Sequence, residues 1–286
     1  MSINTQWMLY GANGYTGRLI VAEALRRGLR PVLAGRNQDA ISNLAEQSGL
    51  ESRVFNLDDP RATRNALQGF HTVLHCAGPF SATSQKMIEA CLQQHCHYLD
   101  ITGEISVFAN AHRQSEDARR ADIVLMPGVG FDVVPTDCLA ALLVQALPAA
   151  TSLTLAFKSN GRVSPGTAKT SIEGLAGGGC VRCDGKLQWV PLAWKSREIP
   201  FAGGSHIAVT IPWGDVFTAF ISTGVPDIEV YMGAPPSMVM RMKRMRMVRP
   251  LLSMQWVQNM MKRRVEKLVT GPSAEQREKS RMQLWG

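Results

Sequence analysis

Three glycines spaced three apart, in Gly11-Ala-Asn-Gly14-Tyr-Thr-Gly17, are the residues of this 286-residue chain whose type and spacing point most directly to chemistry. Glycine at such places permits a tight turn, close approach of backbone to a pyrophosphate, and close packing of a helix on a strand. A helix starting near Tyr15 directs its N-terminal amides and dipole at phosphate oxygens, so Asn13, Tyr15 and Thr16 join Gly11, Gly14 and Gly17 as cofactor-binding candidates. Taken alone, the same spacing also suits a purely structural loop. The end of the second strand selects the dinucleotide: an acid there binds the ribose 2′-hydroxyl of NAD, whereas this chain reads Leu33-Ala-Gly-Arg36. A guanidinium pairs with a 2′-phosphate and stacks on adenine, so Arg36 favours NADP(H), with NAD second. Asp39 lies nearby, and a merely solvated Arg36 is the plain alternative. Asp58 either reaches the adenine edge or caps a helix before Pro60.

Further along, Cys76-Ala77-Gly78-Pro79-Phe80 ends a strand with small residues. Ala77, Gly78 and Pro79 let the backbone lie along the cofactor ribose, since ligands bind at strand C-termini in such sheets; a simple Gly-Pro turn would look the same. Tyr98, Asp100, Thr102 and Glu104 follow the next strand on the same edge, with helix capping as the other reading of Asp100 and Thr102. Asp132 either caps the helix after it or faces the nicotinamide. Lys169 either binds an acidic substrate group or is solvated. Hydride transfer needs a proton supplied by a side chain or water, and the candidate donors are Tyr98, Asp132 and Lys169. None of Tyr10, Tyr15, Tyr98 and Tyr231 has a lysine four residues later, which argues against Tyr-x-x-x-Lys dehydrogenase chemistry. No metal site is expected. Cys180-x-x-Cys183 is a single half-site, and Cys91, His95, Cys96 and His97 lack partners at zinc-ligand spacing.

The elements that must position these residues alternate. Apolar strand-like runs at Trp7–Tyr10, Pro31–Ala34, Arg53–Asn56, Thr72–Cys76, His97–Leu99 and Ile123–Met126 are separated by helical patterns at 18–27, 38–49, 60–69, 81–95 and 105–121. Such alternation implies βαβ units, and short apolar strands fit a sheet covered on both faces. The fold class expected is α/β, a Rossmann-type doubly wound parallel sheet with a second mixed α/β domain. The domains expected are 1–130 for dinucleotide binding and 131–286 for substrate and dimerisation.

Composition narrows the partners. The chain carries a net charge of +8, but residues 237–286 hold 12 Lys+Arg and 3 Asp+Glu, leaving 19 against 20 in the remainder. A basic face spread over the whole molecule is therefore missing, and nucleic acid is not expected as a partner. The sequence shows neither a signal peptide nor a run of about 18 apolar residues, and six cysteines without a secretion signal suit a cytoplasmic location. Residues 237–269 contain eight of the 14 methionines. Met238, Met242, Met245, Val248, Leu252 and Trp256 form a helical stripe, and Pro250 divides the segment or begins its second helix. Three readings stand for it: an ordinary packed helix pair, a lid on a hydrophobic substrate, or a peripheral membrane contact.

Several phrases together resemble the saccharopine dehydrogenase-like oxidoreductases, a family that includes trans-acting enoyl reductases. They are GANGYTG (11–17), CAGPF (76–80), CHYLDITGE (96–104), PGVGFDVVPTD (127–137), SPGTAKTS (164–171), IPWGDVFTAF (211–220) and STGVPDIEVYM (222–232). The resemblance implies a dinucleotide-binding domain followed by a mixed α/β domain lining a substrate cleft, often in a homodimer. Family members continue past the point corresponding to Gly286, so the second domain is expected to be incomplete at its C-terminus. Saccharopine is highly charged, whereas the second half here is rich in Phe, Trp and Met; a small-molecule or acyl-type substrate is expected. The function expected is an NADP(H)-dependent oxidoreductase acting on a C=C, C=O or C=N bond. The alternative is a non-catalytic dinucleotide-binding sensor or scaffold on membranes.

Overall fold

A computed structural model describes residues 6–286, which form two compact units, one ending at Phe131 and one running from Asp132 to Gly286. The first unit alternates strand and helix throughout. Its elements are β1 (Trp7–Tyr10), α1 (Tyr15–Arg26), β2 (Val32–Gly35), α2 (Gln38–Ser48), β3 (Ser52–Val54), α3 (Pro60–Leu67) and β4 (Thr72–His75). After these come α4 (Phe80–Gln94), β5 (His97–Asp100), α5 (Ile105–Arg113), α6 (Ser115–Arg120) and β6 (Leu125–Met126). The six strands pair in parallel in the order β3-β2-β1-β4-β5-β6, the order of a doubly wound nucleotide-binding sheet. The expected α/β class is thus what the chain adopts.

The period of two explains why β1 can sit in the middle. Met8 and Tyr10 face one layer with Val73, Met87, Ile88 and Tyr98, while Leu9 faces the other with Val21, Leu33 and Ile41. Both faces are covered, so the strand is apolar along its length. The helices begin where local chemistry permits: Asn37 caps α2 at the Ala40 amide, and Asp59 caps α3 at the Ala62 amide with Pro60 in the first turn. The long helical pattern over 105–121 is broken in two. Gln114 ends α5 and precedes α6, where a single helix was expected.

The second unit comprises α7 (Val134–Ala146), β7 (Ser152–Ser159), α8 (Pro165–Gly177), β8 (Gly179–Cys183), β9 (Lys186–Val190), β10 (Ser196–Phe201), β11 (Gly204–Thr210), α9 (Asp215–Thr223) and β12 (Asp227–Gly233). It ends with α10 (Pro236–Met245), α11 (Arg249–Leu252), α12 (Gln255–Leu268), α13 (Ala274–Lys279) and β13 (Met282–Trp285). Its sheet runs β10-β11-β12-β7-β13, with a β8–β9 hairpin joined to β12. Only β12 and β7 pair in parallel; the other pairings are antiparallel, so the unit is mixed.

The helical stripe expected over 238–256 does not become a buried face. Met238, Val248 and Trp256 are exposed, and the buried residues are Val239, Met242 and Val257. A 3-10 turn at Arg246–Val248, Pro250 in the first turn of α11, and the extended backbone of Met254 before α12 each reset the helical phase. A stripe drawn as one continuous helix therefore loses register. Among the described residues, no helix is long and apolar enough to cross a membrane.

One buried carboxylate ties the sheet edge together. Asp100, wholly buried at the end of β5, accepts the Tyr98 hydroxyl at 2.6 Å, the Thr102 amide at 2.9 Å and the Gly128 amide at 2.8 Å. Replacing Asp100 with Ala strands a hydroxyl and two amides in the interior, at a cost of roughly 3 kcal/mol or more. Asp100→Asn keeps an oxygen for the amides and should lose much less. Urea unfolding of the two variants is expected to show that order, and equal midpoints would refute the three-donor account.

Candidate functional site

The candidate cofactor site begins at the turn between β1 and α1. Gly11 has φ +85°, and a Cβ there would stand 2.8 Å from the Ala77 amide nitrogen and 2.9 Å from the Cys76 carbonyl carbon. A Cβ on Gly17 would meet the Gly11 and Ala12 carbonyl oxygens at 2.4 and 2.7 Å. Those are backbone atoms that cannot move aside, so both glycines are required by packing. Gly14, the residue before α1, is exposed, and a Cβ there would meet only the Gly11 carbonyl oxygen, at 3.2 Å. No side chain caps α1, and its first turn holds no acidic residue. The N-terminal dipole of α1 thus has no anion supplied by this turn.

The same turn draws in the ends of two neighbouring strands. The Gly11 and Ala12 amides both donate to the Ala34 carbonyl, at 2.8 and 3.2 Å. A Cβ on Gly35 would lie 3.2 Å from Asn13 Oδ1, which places Asn13 against the end of β2. Arg36, the next residue, is exposed, and its charge reaches both the Tyr10 hydroxyl and Asp58. Burial pushes Tyr10 up to about 12 against that pull. Gly11, Asn13, Gly14, Tyr15, Thr16, Gly17, Arg36 and the Ala77-Gly78-Pro79 turn therefore share one edge of the sheet, at the C-terminal ends of β1, β2 and β4. The capping alternative for Asp58 fails, since Asp59 caps α3. Asp58 is exposed and pairs with Lys86, whose hydrogen bond holds its carboxyl below the usual range.

Glu104, which the sequence places on this edge, and two residues it does not single out, Thr83 and His75, hold the second turn in place. Both oxygens of Glu104 accept backbone amides at the start of α4, from Phe80 at 2.9 Å and Ser81 at 2.8 Å. The N-terminus of α4 is thereby occupied by a carboxylate from a segment 24 residues on. The Thr83 hydroxyl lies 2.8 Å from the Ala77 carbonyl and 3.1 Å from the Pro79 carbonyl, and it is 3.0 Å from His75 Nε2. With its one proton committed to those carbonyls, Thr83 accepts from His75, which fixes the histidine proton on Nε2. His75 is wholly buried between Tyr10, Phe80 and Tyr98, and its Nδ1 has no partner among the described residues. The one available signal was a histidine at the end of an apolar strand, which reads equally well as an exposed strand end.

Of the proton-donor candidates, Tyr98 lies in the first unit, fully buried, with its hydroxyl donated to Asp100; burial raises its phenol further. Asp100 and Thr102 are not caps of α5, whose flanking residue Glu104 accepts no cap bond. Asp132 and Lys169 belong to the second unit, Lys169 on α8. Asp132 does not cap α7 either; Val133 precedes that helix. Burial pushes the Asp132 carboxyl up to about 6. Asp215, at the start of α9 in the same unit, is wholly buried and accepts the Thr136 hydroxyl at 2.6 Å. Burial raises it to about 7, with Asp137 and Asp132 adding to the rise. Cys180 and Cys183 point differently, one buried and one half-buried, as residues three apart on a strand must. Cys183 instead gathers with Asp184 and Asp227, their ligand atoms within 4.8 Å of one another.

Residues 11–123 match the family model described as NAD(P)H-binding. A saccharopine dehydrogenase-like oxidoreductase of Arabidopsis thaliana is 28% identical over an alignment of 150 residues that covers 46% of this chain and 32% of the relative. Over that stretch the chain is similar to saccharopine dehydrogenase-like oxidoreductases. A protein of Mycobacterium tuberculosis named as a trans-acting enoyl reductase is also 28% identical, over 141 residues, covering 46% of the chain and 33% of the relative. The matched segment spans about a third of the length of these curated relatives. Among solved structures, the L-Glu-forming saccharopine dehydrogenase of Saccharomyces cerevisiae superposes with TM-score 0.59 at 12% identity, over 80% of this chain and 54% of that one. At that identity the likeness concerns the fold.

The buried histidine has a pH signature. His75 is held neutral, its pKa depressed by burial to about 3 from 6.5. The unfolded chain takes up a proton below 6.5 while the folded chain does not, so stability is intact above that pH and is lost as pH falls towards 3. His75→Phe should remove a slope of up to about 1.4 kcal/mol per pH unit within that window. Urea unfolding of both proteins between pH 7 and pH 5 measures this, and parallel pH dependences would contradict it.

Proposed function

We propose that the chain is an NADP(H)-dependent oxidoreductase that acts on a C=C, C=O or C=N bond of a small or acyl-type substrate. The observation that carries the reading is the uncapped, acid-free start of α1 behind Gly11 and Gly17, with Arg36 at the end of the adjoining strand. The donor set fits a dinucleotide: backbone amides for a pyrophosphate, a guanidinium for a 2′-phosphate, and small residues at 77–79 where a side chain would intrude. When bound, NADPH supplies the hydride.

The chain's own residues do the rest. Gly11 and Gly17 admit the tight turn, and Arg36 selects the phosphorylated ribose. Glu104 and Thr83 hold the Ala77–Pro79 segment still. Tyr98 is assigned a positioning role, because its hydroxyl is committed to Asp100. Asp132 is the assigned proton holder, since a carboxyl raised to about 6 keeps a proton at mildly acidic pH, where an ordinary carboxyl has lost it. The Phe-, Trp- and Met-rich second half supports an acyl-type substrate over a charged amino acid. The enoyl reductase name of the mycobacterial relative is consistent with that class.

Two outcomes are expected. Arg36→Ala should weaken NADPH binding by tenfold or more, about the worth of a charge-assisted hydrogen bond, with NADH nearly unaffected in calorimetry. Equal losses for the two cofactors would remove the NADP preference. NADPH oxidation screened over enoyl, keto and imino substrates should reveal turnover that falls as pH rises through about 6, with that limb absent in Asp132→Asn. Binding of NADPH without any turnover would favour the non-catalytic sensor instead.

A further inference from the structure

We propose that the helical segment from Pro236 to Leu268 is a docking surface for an anionic lipid bilayer. The segment leaves much of its apolar surface in water, with Met245, Leu252, Met261 and Val265 half-buried. Val239, Met242 and Val257 are inside, while Met240, Met247, Leu251, Trp256 and Met260 are exposed, Met247 by 84% and Trp256 by 63%. An ordinary surface helix places its large apolar residues on the packed side and leaves charge outside. Here exposed methionines alternate with exposed Arg241, Lys243, Arg244, Arg263 and Arg264. The two kinds of side chain share the solvent side.

An open groove of about 390 Å³ concentrates the pattern. Val239, Met240 and Met247 line it with Ile207, and Lys243 and Arg244 belong to the same wall. Apolar lining beside two cations suits an amphiphile with a negative head. Methionine is flexible enough to take up irregular acyl chains, long cationic side chains reach along an apolar surface to keep their charge in water, and tryptophan prefers the membrane interface.

Charge selects the occupant. Residues 237–269 hold nine Lys+Arg and one acidic residue. A second copy of this chain, meeting the surface by two-fold symmetry, would bring cation against cation. A bilayer containing acidic lipids supplies negative charge and an apolar interior together. The 14 residues of α12 are too few to span it, so the segment lies on the surface.

The test is co-sedimentation of the full chain with phosphatidylcholine vesicles, alone or with roughly 30% phosphatidylserine, the lipid that gives such surfaces their negative potential. Two triple variants are compared: Arg241→Gln with Lys243→Gln and Arg244→Gln, and Met247→Ser with Trp256→Ser and Met260→Ser. NADPH binding, which uses neither set, reports that each variant is folded and stays separate from the outcome. Binding should require phosphatidylserine and weaken with salt. The first variant should bind about 100-fold less tightly, at roughly a factor of five per cation near the surface. The second should lose tenfold or more. Absent binding, equal binding to both vesicles, or unchanged binding by both variants would overturn the proposal. So would a dimer in sedimentation velocity that the methionine variant abolishes, with no vesicle uptake.

Discussion

A methyl group at Gly17 would sit 2.4 Å from the Gly11 carbonyl oxygen, and one at Gly11 would sit 2.8 Å from the Ala77 amide. The first unit depends on that closeness. Strand, turn and helix meet backbone to backbone, which only residues without a Cβ allow. Because β1 is the central strand, the same contact brings the ends of β2 and β4 to one edge. Arg36 and the Ala77–Pro79 turn owe their shared position to it.

Around this turn, side-chain acceptors are distributed unequally. The start of α4 is filled by both oxygens of Glu104, and the starts of α2 and α3 are filled by Asn37 and Asp59. Gly14, before α1, offers no side-chain cap. A helix N-terminus whose flanking residue supplies no acceptor is a place for a bound anion. Buried polar groups support the arrangement: Asp100 gathers three donors, and neutral His75 orients Thr83 beneath the second turn. Asp100 is acceptable in the interior because its bonds are made, whereas His75 is neutral and leaves Nδ1 without a partner among the described residues.

The second unit follows a different logic. Its sheet is mostly antiparallel, and burial raises the affinity of Asp215 for protons, with Asp137 and Asp132 adding to the rise. Its charge surplus is confined to the helices near the C-terminus, where exposed methionines accompany it. Those helices are short because Pro250 and the bends around it prevent a continuous apolar face. What is left outside is a basic and greasy surface.

The sequence alone determined the first unit's order of strands and helices, the Gly11–Gly17 turn and the position of Arg36. Each is written in residues within a few positions of one another, where periodicity of two or 3.6 and the missing Cβ act locally. Tertiary structure alone decided that Glu104 caps α4, that Asp100 binds the Gly128 amide 28 residues away, and that Tyr98 is held in the core. It also decided that Asp59, and not Asp58, caps α3, and that the stripe from Met238 to Trp256 stays largely outside. Residue type shows which groups must be satisfied when buried; the partner is set by which segments pack together, and that depends on the whole chain.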